Sequence, residues 1–215
     1  MPSTISIAVL GAGRVGGNLA TGLAAAGHPV TLGVRDPDAD ASRRDDPGIT
    51  VSDTATAIAT AALIINATPG DTTLERLIGH RDALGGKVLL DVSNATLRSA
   101  DGLPGGLLYP DVSLGELLQE ELPATKVVKS LNTMLFSVMT DPGALRTPPT
   151  AFLSGDDLTA KALVQSVLSS LGWDHEWIVD LGGIRTARGT EAMALMVPSL
   201  LGAVGFIPFA LAVAR

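Results

Sequence analysis

Short apolar runs alternate along this chain with stretches of helical character. Six runs are predicted to be strands, at residues 5–10, 30–34, 49–51, 63–67, 87–91 and 126–130. Helical stretches at 14–26, 54–60 and from about residue 71 follow three of these runs. Strands that alternate with helices are typical of parallel sheets with helices on both faces. The pattern therefore predicts an α/β fold of the Rossmann type with a mostly parallel sheet.

The second half of the chain continues this pattern less regularly. Residues 101–113 are rich in Gly, Pro and Asp and are predicted to form an irregular loop. A helix is predicted at 114–122, a seventh strand at 150–154, an amphipathic helix at 157–171 and a last strand at 173–179. We therefore expect a dinucleotide-binding domain over 1–180 and a C-terminal helical segment over 181–215.

A glycine-rich turn follows the first predicted strand directly. It consists of Gly11, Ala12, Gly13, Arg14, Val15 and Gly16. In a GxGxxG turn between a strand and a helix, the first glycine allows the tight turn and the second lets a pyrophosphate approach the backbone. The third lets the helix pack closely, and free N–H groups at the helix start face the phosphates. These six residues are predicted to bind a dinucleotide, although a glycine turn that binds nothing has the same sequence.

The end of the second predicted strand bears on the choice between NAD and NADP. An NAD site usually places an acidic residue there to hold the ribose 2′-hydroxyl, whereas this chain has Val34 followed by Arg35. A guanidinium can hold a 2′-phosphate with two hydrogen bonds, so NADP is favoured over NAD. Two alternatives remain, since Asp36 can pair with Arg35 or serve as the acid itself. Arg43 and Arg44 are further candidates for phosphate contacts.

Other strand ends supply further candidates for the cofactor site. Ligands of open α/β sheets lie beyond the carboxyl ends of the strands. Ala67, Thr68 and Pro69 follow the fourth predicted strand, and Asn94 follows the fifth. These residues are expected to border the cofactor.

Composition excludes several classes of function. The 215 residues carry a net charge of -7 and include three His and no Cys. No basic surface is expected for nucleic-acid binding. The absence of Cys and the wide spacing of the His residues make a metal site unexpected. The N-terminus lacks the pattern of a signal peptide, so a cytoplasmic location is expected.

The C-terminal stretch 192–214 contains no charged residue. Its length alone is compatible with a membrane span, but Pro198, Gly202, Gly205 and Pro208 interrupt it. A buried pair of helices that closes the active site is the preferred interpretation. Because apolar surface of this size needs to be covered, a homodimer is expected.

The order and spacing of seven blocks resemble one family over nearly the whole chain. The blocks are IAVLGAGRVGGNLATGLAAAGH, GVRDPD, LIINATPGD, VLLDVSN, KVVKSLNTM, FLSGDD and IVDLGGIRTARGTEAM. The chain resembles the coenzyme F420-dependent NADP reductases and their bacterial relatives. Two features depart from that family: Val34 stands where relatives often have Ser or Thr, and residues 104–112 differ.

The resemblance implies a set of roles. The glycine turn would hold the pyrophosphate, and Val34 and Arg35 would hold the 2′-phosphate. Ala67–Pro69 and the segment Asn132, Thr133 and Met134 would flank the nicotinamide. The C-terminal helices would form the second pocket and the dimer contact, with coenzyme F420 as a possible co-substrate.

Hydride transfer between a nicotinamide and a deazaflavin needs stacked rings and a dry site more than a proton donor. This chemistry suits a chain with no evident acid–base group, so no catalytic residue is assigned. Pro69, Met134 and the apolar C-terminal stretch are expected to enclose the two rings. One alternative is a carbonyl or imine reductase, for which Lys129, Tyr109, His175 and Asp180 are candidate proton donors. A second alternative is a non-catalytic NADPH sensor.

Overall fold

A six-stranded parallel sheet forms the centre of the protein. The structure is a computed structural model that describes residues 4–38 and 47–214. The strands of this sheet are β1 (Ile7–Leu10), β2 (Val30–Val34), β3 (Ile49–Asp53), β4 (Leu63–Asn66), β5 (Val88–Asp91) and β8 (Lys126–Lys129). Their order is β3-β2-β1-β4-β5-β8, and every neighbouring pair is parallel. The Rossmann-type fold predicted from the sequence is confirmed.

Helices and short strands surround the sheet. The α-helices are α1 (Arg14–Ala25), α2 (Thr54–Thr60), α3 (Gly70–Ile78), α4 (Arg81–Leu84), α5 (Leu114–Glu121), α6 (Phe136–Thr140), α7 (Leu158–Ser170), α8 (Ala187–Ala192) and α9 (Val197–Val204). Shorter 3-10 turns lie at Pro142–Ala144, His175–Trp177, Ile184–Thr186 and Met193–Met196. Two small sheets pair β6 (Thr96–Arg98) with β7 (Pro104–Leu107) and β9 (Ala151–Leu153) with β10 (Ile178–Asp180).

The core is divided by the sheet into two layers, because alternate residues of a strand point to opposite faces. On β1, Ile7 and Val9 pack with one cluster, which includes apolar residues of α1 and α7. Ala8 and Leu10 pack with the other, which includes residues of α2, α3 and α5. Helices thus cover both faces, so a ligand can reach the sheet only at its edges or at the ends of its strands.

Two predictions for the second half of the chain are wrong. The predicted loop 101–113 contains β7, which pairs with β6 in an antiparallel hairpin. The predicted strand 173–179 is strand only from Ile178 onward. Before it lies a 3-10 turn, because the Asp174 side chain accepts a hydrogen bond from the backbone N–H of Glu176 (2.9 Å) and closes the chain locally. His175 therefore lies on that turn and not on a strand surface.

The C-terminal stretch also differs from its prediction. Helix α9 has no buried residue in the single chain, and the described chain after it is extended, so the second helix of the expected pair is wrong. The extended part is tied down by backbone hydrogen bonds, from Leu135 N to Phe209 O (2.9 Å) and from Thr150 N to Leu211 O (2.9 Å). Within the described residues no helix combines the length and the apolar character that crossing a bilayer requires.

Candidate functional site

One large cleft lies along the carboxyl edge of the six-stranded sheet. Its volume is about 1160 Å³, and its lining comes from the segments after β1, β2, β4, β5 and β8. Pockets for single small molecules usually measure about 300–1,000 Å³. The cleft is therefore large enough for more than one small ligand.

The glycine turn forms the floor of this cleft at the end of β1. Gly11 has a backbone φ of 101°, which only glycine adopts without strain. A Cβ atom at Gly16 would lie 1.9 Å from the carbonyl oxygen of Gly11, so α1 can pack here only without a side chain. At Gly13 a Cβ atom would meet no atom within 4 Å among the described residues, because this position faces the open cleft. Gly11 and Gly13 line the cleft, whereas Gly16 lies beneath it.

The N-terminus of α1 faces the cleft with uncapped N–H groups. Gly13 is the N-cap residue, and across the described ranges α1 has neither a side-chain cap nor an acidic residue in its first turn. Free N–H groups and the helix dipole together favour an anion at such a terminus. Ala12, Arg14 and Val15 also line the cleft. The Arg14 guanidinium lies 5.8 Å from the centroid of the Phe136 ring, in a cation–π contact.

The end of β2 supplies another side of the same cleft. Val34, Arg35 and Asp36 all line it. Val34 is buried, and the next residue, Arg35, is exposed. The guanidinium of Arg35 therefore supplies a positive charge to this side of the cleft. The Asp36 carboxylate accepts a hydrogen bond from the backbone N–H of Asp38 (3.1 Å). Arg43 and Arg44 lie outside the described residues.

A network of hydrogen bonds holds the turn after β4. The Asn66 side-chain oxygen accepts bonds from the hydroxyl (2.7 Å) and the backbone N–H (3.3 Å) of Thr68. The Thr68 hydroxyl also contacts that of Thr73 on α3 (2.8 Å). These contacts hold Ala67, Thr68 and Pro69 in place, and all three residues line the cleft.

A reciprocal pair of amides joins the segments after β5 and β8. The Asn94 side chain donates to the backbone oxygen of Asn132 (2.8 Å), and the Asn132 side chain donates to Asn94 Oδ1 (2.9 Å). Leu131, which precedes this contact, has a φ of 61°, a backbone conformation uncommon for residues other than glycine. Asn94, Asn132, Thr133 and Met134 line the cleft beside the turn after β4.

Beneath these segments lies a buried group of charges. Lys129 Nζ lies 2.7 Å from Asp91 Oδ2 and 2.8 Å from Glu191 Oε1, and it donates to the backbone oxygen of Ser93 (2.6 Å). Burial lowers the pKa of a lysine, but the two carboxylates outweigh this effect and raise the pKa of Lys129 above its usual 10.5. Lys129 is therefore a fixed cation.

Glu191 and Asp91 connect this group to other elements. Glu191 accepts hydrogen bonds from the backbone N–H groups of Leu114 (2.9 Å) and Gly115 (3.0 Å) at the start of α5. Asp91 accepts a bond from the side chain of Asn66 (2.7 Å). The group thus links α8, α5 and three neighbouring strands beneath the cleft.

The C-terminal segment forms an apolar wall of the cleft. Its lining residues are Met193, Ala194, Met196, Val197, Leu200, Leu201, Phe206, Phe209 and Leu211. The extended part runs beside the residues after β8, and Leu211 N donates to Thr133 O (3.2 Å). Predicted cofactor residues and apolar C-terminal residues therefore face one shared space.

Of the predicted residues, every member of the cofactor set except Gly16 lines the cleft. The four proton-donor candidates of the carbonyl reductase alternative, Lys129, Tyr109, His175 and Asp180, do not belong to its described lining. Lys129 is 1% exposed and engaged in ion pairs, and Asp180 pairs with Lys161 at 2.9 Å.

Several lining residues were not found from the sequence, namely Arg76, His80, Arg98 and Phe136. Arg76 lies in the second turn of a helix that starts at the predicted cofactor-bordering turn. That spacing was an available signal for Arg76. For Arg98 and Phe136 the chain folds back from distant segments, and no local pattern indicates their position.

This sheet order, with an uncapped glycine turn at the cleft, is typical of Rossmann folds that bind dinucleotides. Residues 6–95 match the family model described as NADP oxidoreductase, coenzyme F420-dependent. A solved structure from Arthrobacter sp. FB24, a candidate F420-dependent NADP reductase, is 40% identical with a TM-score of 0.88. The alignment covers 98% of this chain and 100% of that one. The chain belongs to this family of NADP-dependent oxidoreductases.

Two further relatives are more distant. The hypothetical protein SMa0349 from Sinorhizobium meliloti is 29% identical with a TM-score of 0.70, and 85% of this chain and 86% of that one are covered. The metalloreductase STEAP3 of Rattus norvegicus is 29% identical over 94% of this chain. The chain spans only 40% of the length of that curated relative.

Proposed function

We propose that the protein transfers hydride between NADP(H) and coenzyme F420 or a similar flavin-type acceptor. The observation that carries the proposal is the composition of the cleft at the carboxyl edge of the sheet. One side offers the uncapped N-terminus of α1 and Arg35, and another offers the apolar C-terminal wall. A dinucleotide and an aromatic redox partner fit these two surfaces.

The proposed NADP site contains the residues predicted from the sequence. The pyrophosphate site would be formed by the glycine turn, which consists of Gly11, Ala12, Gly13, Arg14, Val15 and Gly16. Arg35 would hold the 2′-phosphate beside Val34. The nicotinamide would lie among Ala67, Thr68, Pro69, Asn94, Asn132, Thr133 and Met134. The exposed guanidinium of Arg35 supports NADP over NAD, because a 2′-phosphate offers it charge and two acceptors.

In the proposed reaction the protein supplies position and a dry environment. NADP(H) held by these residues would donate or accept a hydride, and the single proton that balances reduction of the acceptor ring would be exchanged with solvent. Met134 is only 9% exposed and lies in the lining with Pro69 and Phe209. Such walls would exclude water and hold the two rings in contact, and orientation alone can lower a barrier substantially.

His80 is the histidine of the described lining, and the distance argues against its use as a proton donor. It follows α3, which begins directly after Pro69. The helix spans Gly70–Ile78, so at 1.5 Å per residue its C-terminal end lies about 12 Å from that turn, and His80 follows two residues later. This separation disfavours the carbonyl or imine reductase alternative.

We also propose that the protein is a homodimer, with 1–180 as the NADP domain and 181–215 as the segment that completes the active site and the dimer contact. Exposed apolar side chains near the C-terminus support this arrangement, among them Phe206 at 66%, Ile207 at 50% and Val213 at 49%. A second copy would cover this surface.

The test is a turnover assay of the purified protein with NADP⁺ and reduced F420. Parallel reactions with NADPH use FMN, riboflavin, a panel of ketones and a panel of imines. The proposal predicts turnover with F420 or with a flavin. Turnover confined to ketones or imines would instead support the carbonyl or imine reductase, and NADPH binding without any turnover would support the sensor.

A further inference from the structure

Four arginines converge on the cleft of a chain whose net charge is -7. They are Arg14, Arg35, Arg76 and Arg98, and within the described lining Asp36 is the one carboxylate that accompanies them. Arg14 and Arg35 belong to the proposed NADP site. Arg76 and Arg98 have no role in it, so their presence needs a separate explanation.

Arg76 and Arg98 keep most of their hydrogen-bonding capacity. Arg76 uses its Nε to bond the Thr72 hydroxyl (3.0 Å), and Arg98 uses Nη1 to bond the backbone oxygen of Gly102 (3.1 Å). In the part of the chain that the structure describes, neither arginine forms an ion pair with a carboxylate. Since a guanidinium carries five N–H donors, each still offers several to a ligand.

Three other cations of the described chain have carboxylate partners. Arg81 pairs with Glu121 at 2.8 Å, Lys126 with Asp157 at 3.0 Å, and Arg188 with Glu116 at 2.7 Å. Arginines directed at a cleft without a carboxylate partner are suited to bind an anionic ligand.

The position of the two arginines separates them from the phosphate side of the proposed NADP site. Arg35 follows β2, whereas Arg76 and Arg98 follow β4 and β5, on the opposite side of β1 in the sheet order. Arg76 comes seven residues after Pro69 on a helix, about 10 Å away. Arg98 comes four residues after Asn94, about 13 Å away in an extended chain. Neither arginine belongs to the turns that form the proposed nicotinamide site, so both are placed to contact a part of a ligand other than the reacting ring.

We propose that Arg76 and Arg98 form a subsite for the anionic tail of the acceptor. The ligand class is a flavin or deazaflavin whose side chain carries phosphate or carboxylate groups, with its ring against the proposed nicotinamide site. The inference rests on the proposed function in that it places the acceptor in this cleft. Leu103 of the β6–β7 hairpin and Met193 of the C-terminal segment line the same cleft and can contact the uncharged part of the tail.

The test compares ligands that share a ring and differ in their anionic groups. One pair is F420 and 8-hydroxy-5-deazariboflavin, which lacks the phosphate and carboxylates. The other pair is FMN and riboflavin. Binding is measured by fluorescence titration in saturating NADP⁺, so the readout does not depend on turnover. The variants are Arg76→Gln with Arg98→Gln, and the control is Arg81→Gln, whose arginine lies outside the cleft in an exposed ion pair.

We expect the original protein to bind the charged member of at least one pair about 10-fold or more tightly than the neutral member. The double variant should lose about 10- to 100-fold in affinity for that charged ligand. Its affinity for the neutral ligands and for NADP⁺ should change by less than about 2-fold, and so should the affinity of the control variant for every ligand.

Equal affinity for the charged and neutral members of both pairs, or no binding of any of them, would overturn the subsite. So would a loss of NADP⁺ affinity in the double variant, since the arginines would then serve the dinucleotide. The proposed function fails separately. If F420 is not turned over but the FMN preference depends on the arginines, the subsite stands without the F420 activity. If F420 is turned over and the double variant binds it normally, only the subsite fails.

Discussion

The three glycines after β1 meet three different requirements within six residues. Gly11 has a positive φ, Gly16 leaves no room for a Cβ atom, and Gly13 leaves its side-chain position open to the cleft. The first two are needed for the fold of the turn itself. Gly13 is not demanded by packing among the described residues, which supports the proposal that a ligand approaches the backbone there.

Arg35 is the residue on which the proposed choice of NADP depends most. Replacing Arg35 with Gln should raise the KM for NADPH about 10- to 100-fold, because a charge-assisted contact with the 2′-phosphate is lost. The KM for NADH should change by less than about 3-fold, since NADH has no such phosphate. Steady-state kinetics with both cofactors measures this difference, and Arg81→Gln serves as the control. An equal effect on NADPH and NADH would contradict the role.

At the scale of single residues, the sequence predicted those site residues that directly follow a strand. The turns after β1, β2, β4 and β5 were predicted from the residues, because the carboxyl ends of parallel strands must meet at one edge. The segment after β8, Asn132 to Met134, was expected only from the family resemblance. Arg98 was missed because its position depends on a hairpin whose second strand, β7, has the sequence PGGL. Proline and glycine are disfavoured in strands, so local propensity gives no indication of that pairing.

Among the elements, β5, β8 and α8 are joined by the buried ion pairs of Lys129. Replacing Lys129 with Met keeps the approximate length of the side chain and leaves two buried carboxylates without their cation. We expect a loss of about 3–5 kcal/mol in the free energy of unfolding. Urea unfolding monitored by circular dichroism measures it.

The matched control is Lys126→Met, because the ion pair of Lys126 with Asp157 is partly exposed, with side-chain exposures of 42% and 33%. The free energy of unfolding of Lys126→Met should fall by less than about 1 kcal/mol. If the free energy of unfolding fell by the same small amount in both variants, the buried ion pairs of Lys129 would not be what holds β5, β8 and α8 together.

The start of α5 provides a prediction for pH dependence. Glu116 completes a capping box with Ser113, and Arg188 donates to both of its carboxylate oxygens. The hydrogen bond from Arg188 lowers the pKa of Glu116 from 4.5 to about 2. Because the folded state holds this proton less tightly than the unfolded state, the stabilisation is complete above pH 4.5 and is lost as the pH falls towards 2.

The free energy of unfolding should therefore be higher in the original protein than in Glu116→Gln at pH 7. This gap should narrow between about pH 4.5 and pH 3. Urea titrations at pH 7, 4.5 and 3 give the comparison, with Glu121→Gln as the control for an exposed ion pair. A gap that is constant over this range would show that Glu116 does not titrate with a lowered pKa.

The element boundaries that the sequence did not predict share a physical cause. Residues 173–179 include Trp and Ile, which favour strands, but the Asp174 side chain caps a 3-10 turn and delays the strand to Ile178. The side-chain cap acts within three residues and outweighs a weak strand propensity. In contrast, α2 was predicted at its observed bounds, Thr54–Thr60, where Asp53 caps the helix by accepting from Thr56 N.

For the whole molecule, the exposed apolar surface near the C-terminus bears on the state of assembly. If a second copy covers it, replacing both Phe206 and Ile207 with Glu should convert the protein from a dimer to a monomer. The two charges would then face an apolar interface. Light scattering coupled to size-exclusion chromatography measures the mass. Leu158→Glu is the control, because Leu158 is 74% exposed and belongs to α7 and not to the C-terminal segment. A monomeric original protein would contradict the proposed dimer.

The overall architecture was predictable because alternating strands and helices allow few arrangements. The conformation of residues 192–214 was not, since their uniform apolar composition has no period to indicate a face. The structure ties 209–213 to the segments around Thr133 and Thr150 and leaves α9 exposed. This is also the region that would decide the acceptor.

The most direct test of the proposed activity follows the hydride itself. NADPH carrying deuterium at C4, prepared separately in each of its two stereochemical forms, is mixed with the protein and oxidised F420, and the reduced deazaflavin is analysed by mass spectrometry. The proposal predicts that one of the two forms transfers its deuterium to carbon in the product, because the two rings react in direct contact in the cleft. Reduction of F420 without deuterium from either form would contradict direct transfer between the rings. No reduction of F420, together with no reduction of FMN or riboflavin in parallel reactions, would contradict the proposed activity.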